Sequence, residues 1–128
     1  MSNSQISSSE FEIMRVIWDM GGKAYFSEIT ERLEAAGFSW KNNTILTFLS
    51  RLVEKQILSI NKVGRKNEYC ALVDEHEYAA DQTVSFVGRV YEGDVKGLVS
   101  TLIQQDLISV DDLDELKDFW KGTKKTDE

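Results

Sequence analysis

Apolar residues recur along this chain with helical spacing in several stretches and with strand-like character in two. Phe11, Met14 and Trp18 fall at i, i+3 and i+7, and Ile13 and Ile17 widen the stripe. That pattern predicts a first helix. Ser9 with Glu12 three residues on has the form of a capping box, and Gly21-Gly22 marks the end. Ser27 predicts the N-cap of a short second helix, with Ile29 and Leu33 inward and Gly37 as its stop. Ile45, Phe48, Leu49 and Leu52 predict the buried stripe of a third helix, roughly Lys41 to Lys55. Ile57-Leu58-Ser59-Ile60 and Glu68-Tyr69-Cys70-Ala71-Leu72 read as the strands of a hairpin. The polar connection from Asn61 to Asn67, which contains Gly64, gives that hairpin a basic tip.

Beyond the hairpin the pattern is helical again. Asp74-Glu75-His76-Glu77 supplies an acidic first turn, and Ala80, Val84, Val87 and Tyr91 keep one face until Gly93 breaks it. Leu98, Val99, Leu102 and Ile103 predict a fifth helix. Ser109 with Asp112 starts a sixth, carried on by Leu113, Leu116 and Trp120. Three helices and then a two-stranded hairpin is the order of a winged helix-turn-helix domain. The expected fold is therefore mainly α with a small β-hairpin. It comprises an N-terminal winged helix over residues 1–73 and a C-terminal helical dimerisation region over 74–128, ending in a frayed tail from Lys121.

The second region has its own reason to pair. Three short helices are too few to bury their apolar faces against one another. Val87, Tyr91, Leu98, Val99, Leu102, Ile103, Leu113, Leu116 and Trp120, with Phe119, therefore need a partner surface. A second copy of the chain is the simplest one.

Charge sharpens this division. The 128 residues carry 15 Lys and Arg against 22 Asp and Glu, a net of −7. Residues 1–73 have a net of +1 and residues 74–128 a net of −8. Between Lys41 and Lys66, six cations (Lys41, Arg51, Lys55, Lys62, Arg65 and Lys66) face the single acid Glu54. Phosphate contacts are local, so a basic window matters more to a polyanion than the sum does.

The third helix places Asn43, Thr44, Thr47, Ser50, Arg51 and Glu54 opposite its apolar stripe. Asn can pair with adenine and Arg with guanine, while Thr offers a hydroxyl and a methyl. The N-terminal positions of a recognition helix reach deepest, so Asn43, Thr44 and Thr47 are the base-reading candidates, with Lys41 and Asn42 beside them in the DNA-binding set. Arg51, one to two turns on, suits a phosphate, and Lys62, Arg65 and Lys66 would lie along the backbone as a wing.

Two segments carry a family resemblance. Ser8-Ser9-Glu10-Phe11-Glu12-Ile13-Met14-Arg15-Val16-Ile17-Trp18 resembles the first helix of the penicillinase-repressor family (the BlaI/MecI/CopY type). The stretch from Trp40 to Lys55 resembles its recognition helix, matching an aromatic, two Thr three apart, an Arg-Leu pair and a Lys at Trp40, Thr44, Thr47, Arg51-Leu52 and Lys55. Phe86 to Ile103, with Val90-Tyr91, Gly93 and Gly97-Leu98-Val99, is similar to the family's C-terminal half. The resemblance implies a homodimeric repressor that reads a palindromic double-stranded DNA operator, with an upstream sensor or protease as a further partner. The chain departs from the family at Leu46, where relatives often carry a polar or basic residue, and at Gln56, where Gly is usual. The tail lacks the cysteine cluster of copper-responsive members. Where β-lactam-responsive members are cut at an Asn-Phe pair, the matching proteolytic position here is Thr101-Leu102.

Other chemistry finds little support. There is no Gly-rich phosphate loop and no His-Glu-x-x-His, and His76 is the sole histidine. Glu75, His76 and Glu77 are sequence neighbours and do not share a helix face. Cys70 cannot form an intrachain disulfide and reads as a packing residue. Trp18, Trp40 and Trp120 read as core or interface. No enzyme activity, cofactor or metal is expected. The start of the chain lacks the pattern of a signal peptide, and no apolar run approaches a membrane span, so a cytoplasmic protein with no membrane partner is expected. Two alternatives remain open: a winged-helix regulator with an effector between its C-terminal helices, and a winged helix used only for protein–protein contact.

Overall fold

Nine elements follow one another in the computed structural model, which describes residues 6–125. They are α1 (Ser8–Asp19), β1 (Lys23–Tyr25), α2 (Phe26–Ala35), α3 (Asn42–Glu54), β2 (Leu58–Val63), β3 (Lys66–Ala71), α4 (Glu75–Val90), α5 (Val95–Gln104) and α6 (Val110–Lys125). The chain divides into two compact units, one through Thr83 and the other from Val84 on.

In the first unit α1, α2 and α3 enclose a core closed by a three-stranded antiparallel sheet of order β1-β3-β2. The buried residues are those the helical spacing selects: Ile13, Met14 and Ile17 of α1, Ile29 and Leu33 of α2, and Ile45, Leu49 and Leu52 of α3. Ala24, Ile57, Leu58 and Tyr69 close the sheet side. Phe48 and Trp18, expected within the stripes, are half-buried and pack on the edge of this core.

Several local expectations are corrected. The capping box of α1 is Ser7 with Glu10, two residues before Ser9 and Glu12. The Ser7 hydroxyl accepts from the Glu10 amide at 3.1 Å, and the Ser7 amide donates to Glu10 Oε1 at 2.8 Å. The serine run permits either register. Burial of Glu10, only 1% exposed, selects this one, because the same Oε1 receives the Lys55 ammonium at 2.8 Å. Helix α2 begins at Phe26 with Tyr25 as N-cap, not at Ser27, and the Tyr25 amide donates to Glu28 at 2.9 Å. Strand β1 has no signal in the sequence. Three residues are too few to show an alternating pattern, and its partner β3 lies far along the chain. The hairpin strands run longer than expected, because Asn61, Lys62 and Val63 pair with Glu68, Asn67 and Lys66. Both faces of this extension are largely solvated, so its sequence looks like a loop. Only Gly64 and Arg65 remain as the turn, and Gly64 supplies the left-handed φ of +63° that a tight hairpin loop requires at its first position.

The expected junction after Val73 is where sheet gives way to helix, and the first unit runs on to Thr83 within α4. Tyr78 accounts for the extension. Its ring lies 6.0 Å from that of Phe11 and 5.8 Å from that of Trp18, whose indole N–H donates to the Val73 carbonyl at 3.0 Å. Burial raises the pKa of the Tyr78 hydroxyl above its usual value.

In the second unit α5 is capped by Asp94, whose carboxylate accepts from the Gly97 amide at 3.0 Å. Helix α6 starts at the reciprocal pair Ser109 and Asp112, as expected. The frayed tail expected from Lys121 is helical to Lys125, and residues 126–128 lie outside the described residues.

Two stability predictions follow from this fold. The end of α3 is a Schellman motif, with the Gln56 amide on Val53 O and the Ile57 amide on Leu52 O, both at 3.0 Å. Gln56 holds φ +64°, while Gly37 serves the same turn after α2 at +97°. Gln56→Gly is expected to stabilise the protein by about 1 kcal/mol, read as a rise in urea midpoint with unchanged slope. For Glu10, burial alone would raise the pKa. Hydrogen bonds from Lys55 and Ser7, with the nearby ammonium charge, outweigh it and hold the carboxyl below its ordinary value. Its contribution is therefore present above the unfolded-state value of about 4.3 and is lost as pH falls through the lower folded value. Glu10→Gln is expected to cost about 2 kcal/mol at neutral pH and to flatten the stability loss in acid, measured by denaturant unfolding across pH 3–7.

Candidate nucleic-acid interface

Helix α3 is held by its buried stripe and by an aromatic group, with Phe38 and Trp40 before its start and Phe48 in its second turn. The Trp40 ring lies 4.7 Å from Phe38 and 5.5 Å from Phe48, fixing the chain as it turns into the helix. Trp40 is thus a packing residue, half-buried. At the other end the Lys55–Glu10 pair ties the C-cap of α3 to the first turn of α1. Lys55 therefore belongs to the protein's own packing, although it counts in the basic window.

What this leaves exposed is the polar face. Asn42, Asn43, Thr47, Ser50 and Arg51 are exposed, and Thr44 is half-buried. The Thr47 hydroxyl donates to the Asn43 carbonyl at 3.0 Å. Its one donor is therefore committed, and its oxygen lone pairs and methyl remain for a ligand. Lys41, the N-cap, makes no side-chain capping bond, and no acid lies in the first turn. The positive end of the helix dipole is consequently not neutralised there by the chain's own carboxylates, whereas Glu10 and Glu28 occupy that place in α1 and α2.

The hairpin adds Lys62, Arg65 and Lys66, all exposed. The Lys66 ammonium sits over the Tyr25 ring, 5.3 Å from its centroid, which anchors the base of the wing to the β1–α2 corner. A cleft of about 390 Å³ lies between hairpin and helix, lined by Tyr25, Phe26, Ser27, Leu46, Arg65, Lys66, Asn67 and Tyr69. Leu46, a departure from the family pattern, also lines this cleft. The position carries no charge and no hydrogen-bonding group, so it gave no chemical signal of its own.

In the second unit no described residue is buried. Val87, Tyr91, Leu98, Val99 and Leu102 are half-buried, while Ile103, Leu113, Leu116 and Trp120 are exposed. Thr101 and Leu102 lie within α5, and the Thr101 hydroxyl donates to the Gly97 carbonyl at 3.0 Å. His76 is exposed, and Cys70 is half-buried on β3 with its thiol toward the Glu68 carbonyl. Among the described residues no three His, Cys, Asp or Glu side chains converge as a metal site requires, and no helix is long and apolar enough to cross a membrane.

Comparison with known proteins agrees with this architecture. The profile of a family described as Penicillinase repressor matches residues 6–122. A penicillinase repressor of Bacillus licheniformis is 33% identical over 112 residues, covering 88% of this chain and 86% of the relative. The methicillin resistance regulatory protein MecI of Staphylococcus aureus is 30% identical over 115 residues, covering 90% and 92%. Among solved structures, the DNA-binding domain of the repressor BlaI is similar at 36% identity with a TM-score of 0.51, over 58% of this chain and 88% of that one. The monomeric form of Bacillus licheniformis BlaI in complex with the blaP half-operator is similar at 36% identity with a TM-score of 0.50, over 59% and 89%. Coverage of nearly the whole chain, and of most of each relative's length, leaves one conclusion: the chain belongs to the penicillinase repressor family, a family of transcriptional repressors and not of enzymes.

Proposed function

We propose that this protein represses transcription as a homodimer bound to a palindromic DNA operator. Helix α3 enters the major groove and the β2–β3 hairpin follows the phosphate backbone. One observation carries the reading: α3 is clamped along one side and leaves Asn43, Thr47 and Arg51 exposed on the other, next in the chain to a wing bearing Lys62, Arg65 and Lys66. The half-operator complex of the related BlaI supports the same use of the winged helix here. In this reading Asn43, Thr44 and Thr47 approach base edges, Lys41 and Asn42 meet the DNA beside them, and Arg51 with the wing cations approaches phosphates.

The second copy is supported by the surface of the second unit. Leu116, Phe119 and Trp120 lie at i, i+3 and i+4 on α6 and are 50%, 69% and 63% exposed. Surface of that kind is removed from water by pairing, and a two-fold dimer suits a palindrome. The net charge of −8 on residues 74–128 makes that region a poor surface for DNA and leaves the basic window as the face that DNA approaches. Thr101-Leu102, the position matched to a cleavage site, lies inside α5, so a protease reaches it only after the helix opens.

The test is selection of duplexes from a random pool, followed by anisotropy titration at several salt concentrations. The expected outcome is a palindromic site bound about a thousandfold above a scrambled duplex. Arg51→Ala is expected to weaken binding and lower the salt slope by about one unit. Absence of any salt-dependent affinity would replace this reading with that of a protein-interaction module. For the dimer, Leu116→Glu combined with Trp120→Glu is expected to give a monomer by analytical ultracentrifugation. That variant should lose roughly a hundredfold in affinity for the full site while keeping wild-type affinity for a half-site.

A further inference from the structure

We propose that Leu46 is a base-reading residue, its side chain meeting the C5-methyl group of a thymine in the major groove. The inference rests on the DNA-binding reading above and adds a residue that reading does not use. Leu46 is 40% exposed, although it lies on the second turn of a helix whose Ile45, Leu49 and Leu52 are all buried. Asn42 and Ser50 stand one turn to either side of it, and Asn43 lies three residues before it. It therefore sits on the margin of the polar face, off the buried stripe.

Its surroundings are those of a mixed apolar and cationic cleft. Leu46, Phe26 and Tyr25 line it together with Arg65, Lys66 and Asn67 of the hairpin. The ammonium of Lys66 rests on the Tyr25 ring at 5.3 Å, so cation and apolar wall are physically joined. A duplex edge offers the complementary pair, a phosphate beside a base edge in the groove. Leucine has neither donor nor acceptor and cannot read a hydrogen-bond pattern. Apolar contact is the only discrimination it can make, and thymine is the one DNA base with a methyl in the major groove. Leaving this surface in water is unfavourable in the free protein, and covering it with a methyl group turns that into sequence preference.

The test uses the duplex recovered by the selection above, with each thymine replaced singly by uracil, which keeps the pairing and deletes the methyl. Wild-type protein is expected to lose about fourfold in affinity at one thymine per half-site, the equivalent of one buried methyl group. Leu46→Ala is expected to bind the parent duplex less tightly, to show no loss at that thymine, and to keep the wild-type salt slope. Thermal unfolding of the variant, unchanged in midpoint within a few degrees, shows that its fold is intact. A wild-type thymine profile retained in Leu46→Ala overturns the proposal while DNA binding stands. A profile lost instead in Thr47→Ser assigns the methyl contact to Thr47 and overturns it equally. Recovery of no duplex by the wild-type protein overturns this inference and the DNA-binding reading together.

Discussion

The winged-helix unit depends on one stripe of contact. Ile45, Leu49 and Leu52 of α3 share a dry core with Ile13, Met14 and Ile17 of α1. Each such side chain contributes about 2 kcal/mol by leaving water, and together they fix the rotation of α3 about its own axis. That rotation decides which residues face out. A turn of the helix by one residue would move Asn43 and Thr47 away from solvent and bring Leu49 toward it. The polar face is therefore specified by the apolar one, and the display of Asn43 and Thr47 to solvent is a by-product of core packing.

Two clamps make the arrangement rigid at its ends. The aromatic group of Phe38, Trp40 and Phe48 holds the start of α3, and the Glu10–Lys55 pair holds its finish. The second clamp is ionic, and one member is removed from water almost completely. A buried carboxylate is tolerable only because two donors meet it, the Lys55 ammonium and the Ser7 amide, while the Ser7 hydroxyl accepts from the Glu10 amide and closes the first turn of α1. The wing has a comparable tether where Lys66 rests on Tyr25.

Much of this was legible in the order of residues, and the exceptions have physical causes. The helix stripes at Ile13/Ile17, Ile29/Leu33 and Ile45/Leu49/Leu52 are long enough for period 3.6 to stand out. The register of the α1 cap was not legible, because Ser7, Ser8 and Ser9 offer alternatives and a contact 45 residues away chooses among them. Strand β1 was hidden by its length, and the hairpin extension by its solvation on both sides. The polar face of α3 was visible because Asn43, Thr47, Ser50 and Arg51 fall opposite its apolar stripe. The exposure of Leu46 was not, since an apolar residue beside a buried stripe reads as part of it. Lys55 was counted with the basic window, and only the fold shows that Glu10 claims it.

The second unit, in which no described residue is buried, carries a consequence for the protein's lifetime. Helices without an interior open easily, and an open helix is what cellular proteases cut. In the proposed dimer, covering this surface would also hold the helices closed. Pairing would then protect each copy from cleavage, and survival would depend on abundance. The exposed leucines and aromatics would in that case tie the protein's lifetime to its copy number.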